Sequence, residues 1–256
     1  MKPHFTKAIV RTPCAALVNG ITTADLGLPD YPLALQQHGE YVAALAQCGL
    51  EVLTLPADEN YPDSTFVEDV ALCTPACAVV TNPGAASRNG ERALIGEALL
   101  GYYARYEEIQ FPGTLDAGDV MMVGSHFYIG LSARTNADGA RQLIAILERH
   151  GMSGQAVPLR HVLHLKTGIS YLEDNHLLVC GEFVDDPTFA KFDRIVVDAD
   201  EAYAANCLWV NGTVLVPAGS PKTLAKIEAL GYKTIVLEMS EFEKVDGGLS
   251  CLSLRF

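Results

Sequence analysis

The chain lacks two kinds of apolar segment. No apolar run reaches the roughly 20 residues that cross a bilayer, and its first residues, MKPHFTKAIVRTP, contain no apolar stretch typical of a signal peptide. We therefore expect a cytoplasmic protein that does not enter membranes. Of its 256 residues, 49% are hydrophobic and 19% charged, a composition that supports a large buried core. We predict a single domain over residues 1–256.

Basic residues are scarce. The chain has 18 Lys and Arg against 31 Asp and Glu, and a formal net charge of −13. This balance disfavours nucleic acid as a partner and mildly favours a cationic one.

Regular cysteine motifs are also missing. The seven cysteines are odd in number and irregularly spaced, as expected of reduced thiols rather than a disulfide framework. Cys73 and Cys77 are one residue too far apart for a CxxC pair, and no second pair lies nearby. No metal site is predicted there.

A unit of strand, tight turn, strand, loop, helix, glycine and strand recurs along the chain. In its clearest copy, residues 207–239, Asn211 and Gly212 favour a two-residue hairpin turn, Ser220 is suited to cap the helix, and Gly231 to end it. The same pattern fits residues 119–159 and, less cleanly, residues 69–100 and 168–184. Recurrence of this kind predicts an α/β repeat architecture of ββαβ units, such as a ring or a propeller.

The two ends of the chain complete this pattern. KAIVRTP near the N-terminus begins a copy without its first strand, and the tail SCLSLRF is a strand without a partner. If the two pair, they form a fifth unit and close a ring. We predict that Cys251 lies on this sealing strand, paired on both sides, next to the turn glycines Gly247 and Gly248.

Acidic residues recur at the start of predicted strands. Asp63, Glu68 and Asp69 precede one strand, and Asp116 and Asp119 precede the next equivalent one. Such acids could simply cap turns. Their matching positions instead predict carboxylates that converge on the ring axis around a cation. Since D-x-D spacing is absent, an organic guanidinium or ammonium suits them better than a hard metal ion.

Arginines also occur at matching places. Arg88 and Arg134 each precede the helix of their unit, where they could pair locally with Glu91 and Asp138. Alternatively, they could clamp a carboxylate, because the planar guanidinium binds carboxylates bidentately. Acids for a cationic head and arginines for an anionic tail together describe a site for an amino acid shaped like arginine.

His161 and His164 are three residues apart on a predicted strand and so on opposite faces, which argues against a shared metal. A lone strand histidine is commonly structural, as a lone cysteine is commonly packing. However, His164 occupies the same place in its unit as Asp116 and Cys251 do in theirs. A thiol, an imidazole and carboxylates meeting on one axis predict covalent catalysis.

Several motifs together carry a family resemblance over essentially the full length: IVRTP, YPDSTFVED, GTLDAGD, FYIGLSARTN, VLHLKTG, YAAN and DGGLSCLSLRF. With them the chain resembles the dimethylarginine dimethylaminohydrolases of the guanidino-group-modifying superfamily. The resemblance implies a five-bladed α/β propeller, or pentein, of ββαβ units with pseudo-five-fold symmetry.

The resemblance also implies roles for individual residues. The nucleophile falls on Cys251 and the general acid and base on His164, with Asp116 as the catalytic carboxylate. The positions implied to bind substrate are Ile21, Asp63, Glu68, Asp69, Arg88, Arg134 and Val245. Position 116 is Asp where some bacterial relatives have Glu, and Ile21 lies in a variable loop.

The implied reaction converts Nω-methylated arginine to citrulline and methylamine or dimethylamine through a thiouronium intermediate. No metal or organic cofactor is implied, and a homodimer remains open. Within the same fold, hydrolases of arginine, agmatine or citrulline and amidinotransferases remain alternatives, and a non-enzymatic five-fold ring would leave the thiol and the histidine unexplained.

Overall fold

The computed structural model describes residues 2–256. The strands are β1 (Lys7–Arg11), β2 (Glu51–Leu55), β3 (Ala71–Cys73), β4 (Ala78–Val80), β5 (Tyr106–Glu108), β6 (Val120–Val123), β7 (His126–Leu131), β8 (Ser153–Pro158), β9 (Ile169–Tyr171), β10 (His176–Val179), β11 (Asp193–Val196), β12 (Leu208–Val210), β13 (Thr213–Pro217), β14 (Lys233–Leu237) and β15 (Leu254–Arg255). The α-helices are α1 (Tyr31–Gln47), α2 (Val67–Val70), α3 (Glu91–Leu99), α4 (Ala137–Arg149), α5 (Pro221–Ala229) and α6 (Ser240–Glu243). None of the described helices is long and apolar enough to cross a membrane.

The strands form five three-stranded sheets, in the orders β15-β1-β2, β3-β4-β5, β6-β7-β8, β9-β10-β11 and β12-β13-β14. In each sheet the central strand is antiparallel to the first strand of its unit and parallel to the third. A parallel return requires a crossover, and this explains why a loop or helix separates the second and third strands. The predicted α/β ring of five units is confirmed.

The chain ends seal this ring, as predicted. In the first sheet, Leu254 of β15 lies opposite Ile9 of β1, and Arg255 lies opposite Ala8. Cys251, however, does not lie on the strand. It belongs to a 3₁₀ turn just before β15, and β15 itself is an edge strand with a partner on one side only. The prediction of a cysteine paired on both sides was therefore wrong.

The hairpin between β12 and β13 turns where the sequence indicated. Asn211 and Gly212 have φ values of 49° and 90°, which asparagine and glycine tolerate better than other residues. Helix α5 ends before Gly231, whose φ is 86°. Ser220 precedes α5 but does not cap it, because its hydroxyl donates to the Pro217 carbonyl instead.

The unit formed by β9, β10 and β11 differs from the others. In place of an α-helix, two short 3₁₀ turns, Gly181–Phe183 and Pro187–Phe189, join β10 to β11. Their aromatic side chains pack on one another and on the neighbouring unit, with ring centroids 5.9 Å apart between Phe183 and Phe189 and 5.3 Å between Tyr128 and Phe189. Aromatic packing buries this sheet in the way that a helix buries the others.

Helices cover the outer faces of the remaining sheets. On α4, Leu143 and Leu147 are fully buried against Phe127 and Ile129 of β7. Each such side chain contributes about 1.5–3 kcal/mol through burial.

A short helical turn precedes the first strand of every unit. These five inner turns are Val67–Val70, Ala117–Asp119, Leu165–Thr167, Ala199–Ala205 and Leu249–Leu252. Neighbouring turns contact one another around the ring axis. Residues on the five inner turns are therefore brought together from distant parts of the sequence.

Candidate active site

The predicted catalytic residues lie on the inner turns, at two equivalent positions. Asp116 and His164 each stand immediately before a turn, whereas Asp69 and Cys251 are third residues of theirs. His164 and Asp116 are thus equivalent, as predicted, but Cys251 is displaced by three residues. Since a 3₁₀ helix has three residues per turn, positions three apart lie on the same side, and both kinds of position face the axis.

These side chains line one cavity on the axis. It contains nine of the ten predicted site residues: Ile21, Asp63, Asp69, Arg88, Asp116, Arg134, His164, Val245 and Cys251. Phe66 and Leu163 add apolar surface to the same cavity. Asp246, which was not predicted, also lines it. The structure therefore gathers a thiol, an imidazole, four carboxylates and two guanidinium groups around a single space.

Glu68 is the one predicted residue that does not line this cavity. Its Oε1 contacts Lys166 Nζ at 2.7 Å and accepts from Arg255 Nη2 at 2.9 Å. It lines a separate cavity shared with those two cations. Lys166 and Arg255 were not predicted as site residues, although Lys166 lies in the same HLKTG stretch as His164.

His164 is held between two carboxylates. Its Nε2 contacts Asp116 Oδ2 at 3.1 Å, and its Nδ1 lies 4.0 Å from Asp69 Oδ1. Burial by itself lowers the pKa of His164, but Asp69, the hydrogen bond with Asp116 and the charge of Asp119 together raise it to about 9. This raised pKa favours the imidazolium near neutral pH, the form that is able to give a proton.

Two neighbours of His164 hold its surroundings in place. Asp119 accepts from the Leu165 backbone N–H at 2.8 Å and from Ser132 Oγ at 2.6 Å, fixing the turn that follows the histidine. Gly118 has no side chain where a Cβ atom would come within 2.8 Å of His164 Nδ1 and 2.7 Å of Asp69 Oδ1. Any larger residue at 118 would displace one of these groups.

The surroundings of Cys251 favour the protonated thiol. The Gly248 backbone N–H donates to its Sγ at 3.4 Å. Burial raises the pKa of Cys251, the charges of Asp69 and Glu68 raise it further, and the result is about 12 despite the opposing Gly248 N–H and Lys166. A cation placed beside the thiol would lower this pKa.

The two arginines differ in how much of their guanidinium is already used. Arg88 donates to both oxygens of Glu91, at 2.9 and 2.8 Å, and to Asp69 Oδ2 at 2.6 Å. Its buried ion pairs confirm the local pairing with Glu91 that the sequence left open. Burial lowers the pKa of Arg88, but Glu91 and Asp69 raise it well above its ordinary value.

Arg134 is freer. Among the described residues its only ion pair is with Asp116, with Nη1 to Oδ2 at 3.9 Å, and Asp138 pairs with Arg141 instead. Its side chain is 19% exposed. Of the two arginines, Arg134 thus has the guanidinium better able to take a new carboxylate.

The loop residues Ile21 and Val245 reach the cavity from two sides. The Ile21 backbone N–H donates to Asp63 Oδ1 at 2.9 Å, which ties the 21–26 segment to the site. Val245 is buried. Burial raises the pKa of Asp63 although Arg88 opposes it.

Three possible metal-ligand atoms, one each from Asp69, Asp116 and His164, lie within 4.8 Å of one another. Two carboxylates and an imidazole are a ligand set that divalent metals accept. Here Asp69 already binds the Arg88 guanidinium and Asp116 binds the His164 ring. The carboxylates thus face organic cations, and the expectation that no metal is needed stays a prediction.

Five three-stranded units, four of them with an α-helix, that present a thiol, an imidazole and carboxylates to their common axis define the guanidino-group-modifying class of pentein proteins. The family described as "N,N dimethylarginine dimethylhydrolase, eukaryotic" matches residues 31–202. A relative from Pseudomonas aeruginosa, named N(G),N(G)-dimethylarginine dimethylaminohydrolase, is 56% identical over 98% of this chain and 100% of its own. The chain belongs to the dimethylarginine dimethylaminohydrolase family.

Solved structures agree with this assignment. One is the Pseudomonas aeruginosa enzyme in a cysteine-to-serine form complexed with citrulline, with a TM-score of 0.98 and 55% identity over 99% of this chain and 100% of that one. Another is a histidine-to-glycine form of dimethylarginine dimethylaminohydrolase as an adduct with S-methyl-L-thiocitrulline, with a TM-score of 0.97 and 55% identity over 98% of this chain and 100% of that one.

Proposed function

We propose that this protein hydrolyses Nω-methylated L-arginine to citrulline and methylamine or dimethylamine, with Cys251 as nucleophile and His164 as general acid and base. One observation carries the substrate assignment. Asp69 Oδ1 is buried, borders the cavity with Cys251 and His164, and has no hydrogen-bond partner. A buried carboxylate oxygen left unpaired is costly, and a guanidinium N–H supplies the donor that it lacks.

The charges along the cavity orient the substrate. Asp69 and Asp116 face its guanidinium, Asp63 its ammonium group, and Arg134 its carboxylate. Arg88 donates to Asp69 through one of its two Nη1 N–H groups and to Glu91 through Nε and Nη2. Its second Nη1 N–H contributes to substrate binding. Placing an arginine-shaped ligand in this direction sets its guanidinium carbon beside the thiol.

A second cavity shares His164 and Cys251 with the first and extends to Leu26, Val162 and Tyr203. A dimethylated nitrogen has no N–H to offer a carboxylate. That nitrogen therefore points into the second cavity, while the other two guanidinium nitrogens donate to the carboxylates. This orientation puts the leaving amine next to His164.

The reaction starts from a protonated Cys251 thiol and a protonated His164 ring. The bound cation lowers the pKa of Cys251, and the thiol proton leaves to solvent. The thiolate then attacks the guanidinium carbon, and His164 gives its proton to the departing nitrogen as the carbon–nitrogen bond breaks, because an amine leaves poorly as its anion. Water, deprotonated by His164, adds to the resulting thiouronium carbon. The carbon–sulfur bond then breaks to release the thiolate, and the hydroxyl proton leaves to solvent as the C=O of citrulline forms.

The test is to incubate the protein with asymmetric dimethylarginine, monomethylarginine, arginine and agmatine and to measure ureido product and released amine. We expect turnover of the two methylated amino acids and none with Cys251→Ser. Intact mass should show a covalent adduct on the wild-type chain alone. Turnover of arginine or agmatine in preference would assign the site to another guanidino hydrolase, and no turnover of any of the four would refute the proposal.

A further inference from the structure

A single buried asparagine joins the turn of the proposed nucleophile to the turn of the proposed acid and base. Asn206 directly follows the Ala199–Ala205 turn and is 7% exposed. Its Nδ2 donates to the Lys166 carbonyl at 2.9 Å and to Ser250 Oγ at 3.1 Å, and its Oδ1 accepts from the Ser250 backbone N–H at 2.9 Å.

The orientation of this amide is determined by its partners. A backbone carbonyl can only accept and a backbone N–H can only donate, so the Lys166 side requires Nδ2 and the Ser250 side requires Oδ1. The amide therefore cannot be flipped without losing both backbone contacts. Its two contacted turns come from segments 40 and 44 residues away in the chain.

Both contacts lie next to reacting groups. Lys166 is two residues after His164, and Ser250 is the residue before Cys251. Asn206 also packs directly on Gly248, where an added Cβ atom would come within 2.7 Å of the asparagine Cγ. Gly248 is the residue whose N–H donates to the Cys251 thiol.

We propose that Asn206 is a positioning residue for catalysis. It borders the second cavity, and through its contacts with their two turns it sets the distance and direction between the Cys251 sulfur and the His164 ring. This inference rests on the proposed function. The Ala199–Ala205 turn supports it with a second contact, from Tyr203 Oη to the Gly247 carbonyl at 2.8 Å. Tyr203 and Asn206, from one turn and the residue after it, thus both hold the nucleophile loop.

Asn206→Asp tests the proposal most directly. The acid is nearly isosteric and keeps an acceptor for the Ser250 N–H, but it loses the donor to Lys166 and adds a negative charge near the thiol. We expect kcat to fall about 10- to 100-fold, since displacements near 1 Å cost about that much. We expect KM to change less than about threefold, because the charged groups proposed to bind substrate, Asp63, Asp69 and Arg134, lie on other segments.

The matched control is Asn211→Asp. Like Asn206, Asn211 accepts one backbone N–H and donates twice: it accepts from the Phe5 N–H at 2.9 Å and donates to the carbonyls of Phe5 and Cys48 at 2.8 and 3.1 Å. Unlike Asn206, it lines neither of the two site cavities. It should lose stability to a similar degree while keeping kcat within about twofold. A purely structural role for Asn206 would give both variants the same result.

The pH dependence of kcat/KM distinguishes a change in the position of the reacting groups from the effect of the added charge. The added charge of Asn206→Asp should move the acidic limb of kcat/KM to higher pH, whereas Asn206→Ala should lower kcat without that shift. Wild-type kcat in folded Asn206→Asp, or a rise in KM that accounts for the whole loss, would overturn the inference. Absence of wild-type turnover would instead refute the proposed function, so the two failures are distinguishable.

Discussion

The thiol of Cys251 should resist alkylation in the free protein and become reactive when a guanidinium ion is bound. Its pKa of about 12 means that about one molecule in 10,000 carries the thiolate at pH 8, against about one in ten for a thiol at the ordinary 9.0. A more basic thiolate is also more nucleophilic, with a Brønsted slope of about 0.4–0.5, and this returns part of the loss. Inactivation by a neutral agent should therefore be about 30- to 60-fold slower than for an ordinary exposed thiol.

The assay is the rate of inactivation by iodoacetamide between pH 6 and 11, followed by activity and by the mass of the peptide that contains Cys251. In the free protein the rate should still be rising at pH 10. With millimolar guanidinium present, the profile should shift to lower pH, because the bound cation stabilises the thiolate.

Asp69→Asn is the informative variant for this assay. Of the charged groups that raise the pKa of Cys251, Asp69 has the largest effect, after burial itself. Its removal should speed alkylation of the free protein and weaken the effect of guanidinium. A free-protein profile that levels off near pH 9, or identical profiles with and without guanidinium, would refute the reasoning.

Two further predictions concern His164 and Arg134. The pKa of His164 is raised from 6.5 to about 9, so between these pH values the folded state holds a proton that the unfolded state has lost. The resulting contribution to the free energy of unfolding, about 3 kcal/mol, is complete below pH 6.5 and disappears as pH rises to 9. Urea unfolding should show the decline, and His164→Gln should flatten it; an unchanged slope in that variant would contradict the raised pKa. Arg134→Gln should raise KM for asymmetric dimethylarginine at least about tenfold with little change in kcat, since a charge-assisted contact contributes about 1.5–3 kcal/mol. A selective loss of kcat in steady-state kinetics would instead place Arg134 at the reacting group.

Local signals in the sequence predicted the ring well, because each depends on neighbouring residues. Asn211 and Gly212 favour a positive φ through their own chemistry, wherever the hairpin lies. The unpaired segments at both ends predicted the pairing of β15 with β1. The same reasoning did not foresee that aromatic packing around Phe183 and Phe189 replaces a helix, because the alternative depends on what the neighbouring unit offers.

The sequence predicted which residues line the site better than it predicted the partners that those residues bind. Nine of the ten predicted residues line one cavity, but Glu68 does not, because two cations from other units, Lys166 and Arg255, take its carboxylate. For Arg88 the sequence left two partners open, and the structure shows a guanidinium already bound to Glu91 and Asp69.

By itself, the sequence determined the ββαβ repeat, the closing of the ring by its ends, and the residue types that meet on its axis. These features follow from hydrophobic periodicity, turn chemistry and short motifs, all of which act over a few residues. Only the tertiary structure decided that Cys251 sits on a turn, that burial and nearby carboxylates raise the pKa of its thiol, and that Asn206 links it to the turn after His164. Burial and charge at a point in space are sums over segments far apart in the chain, and no local pattern records that sum.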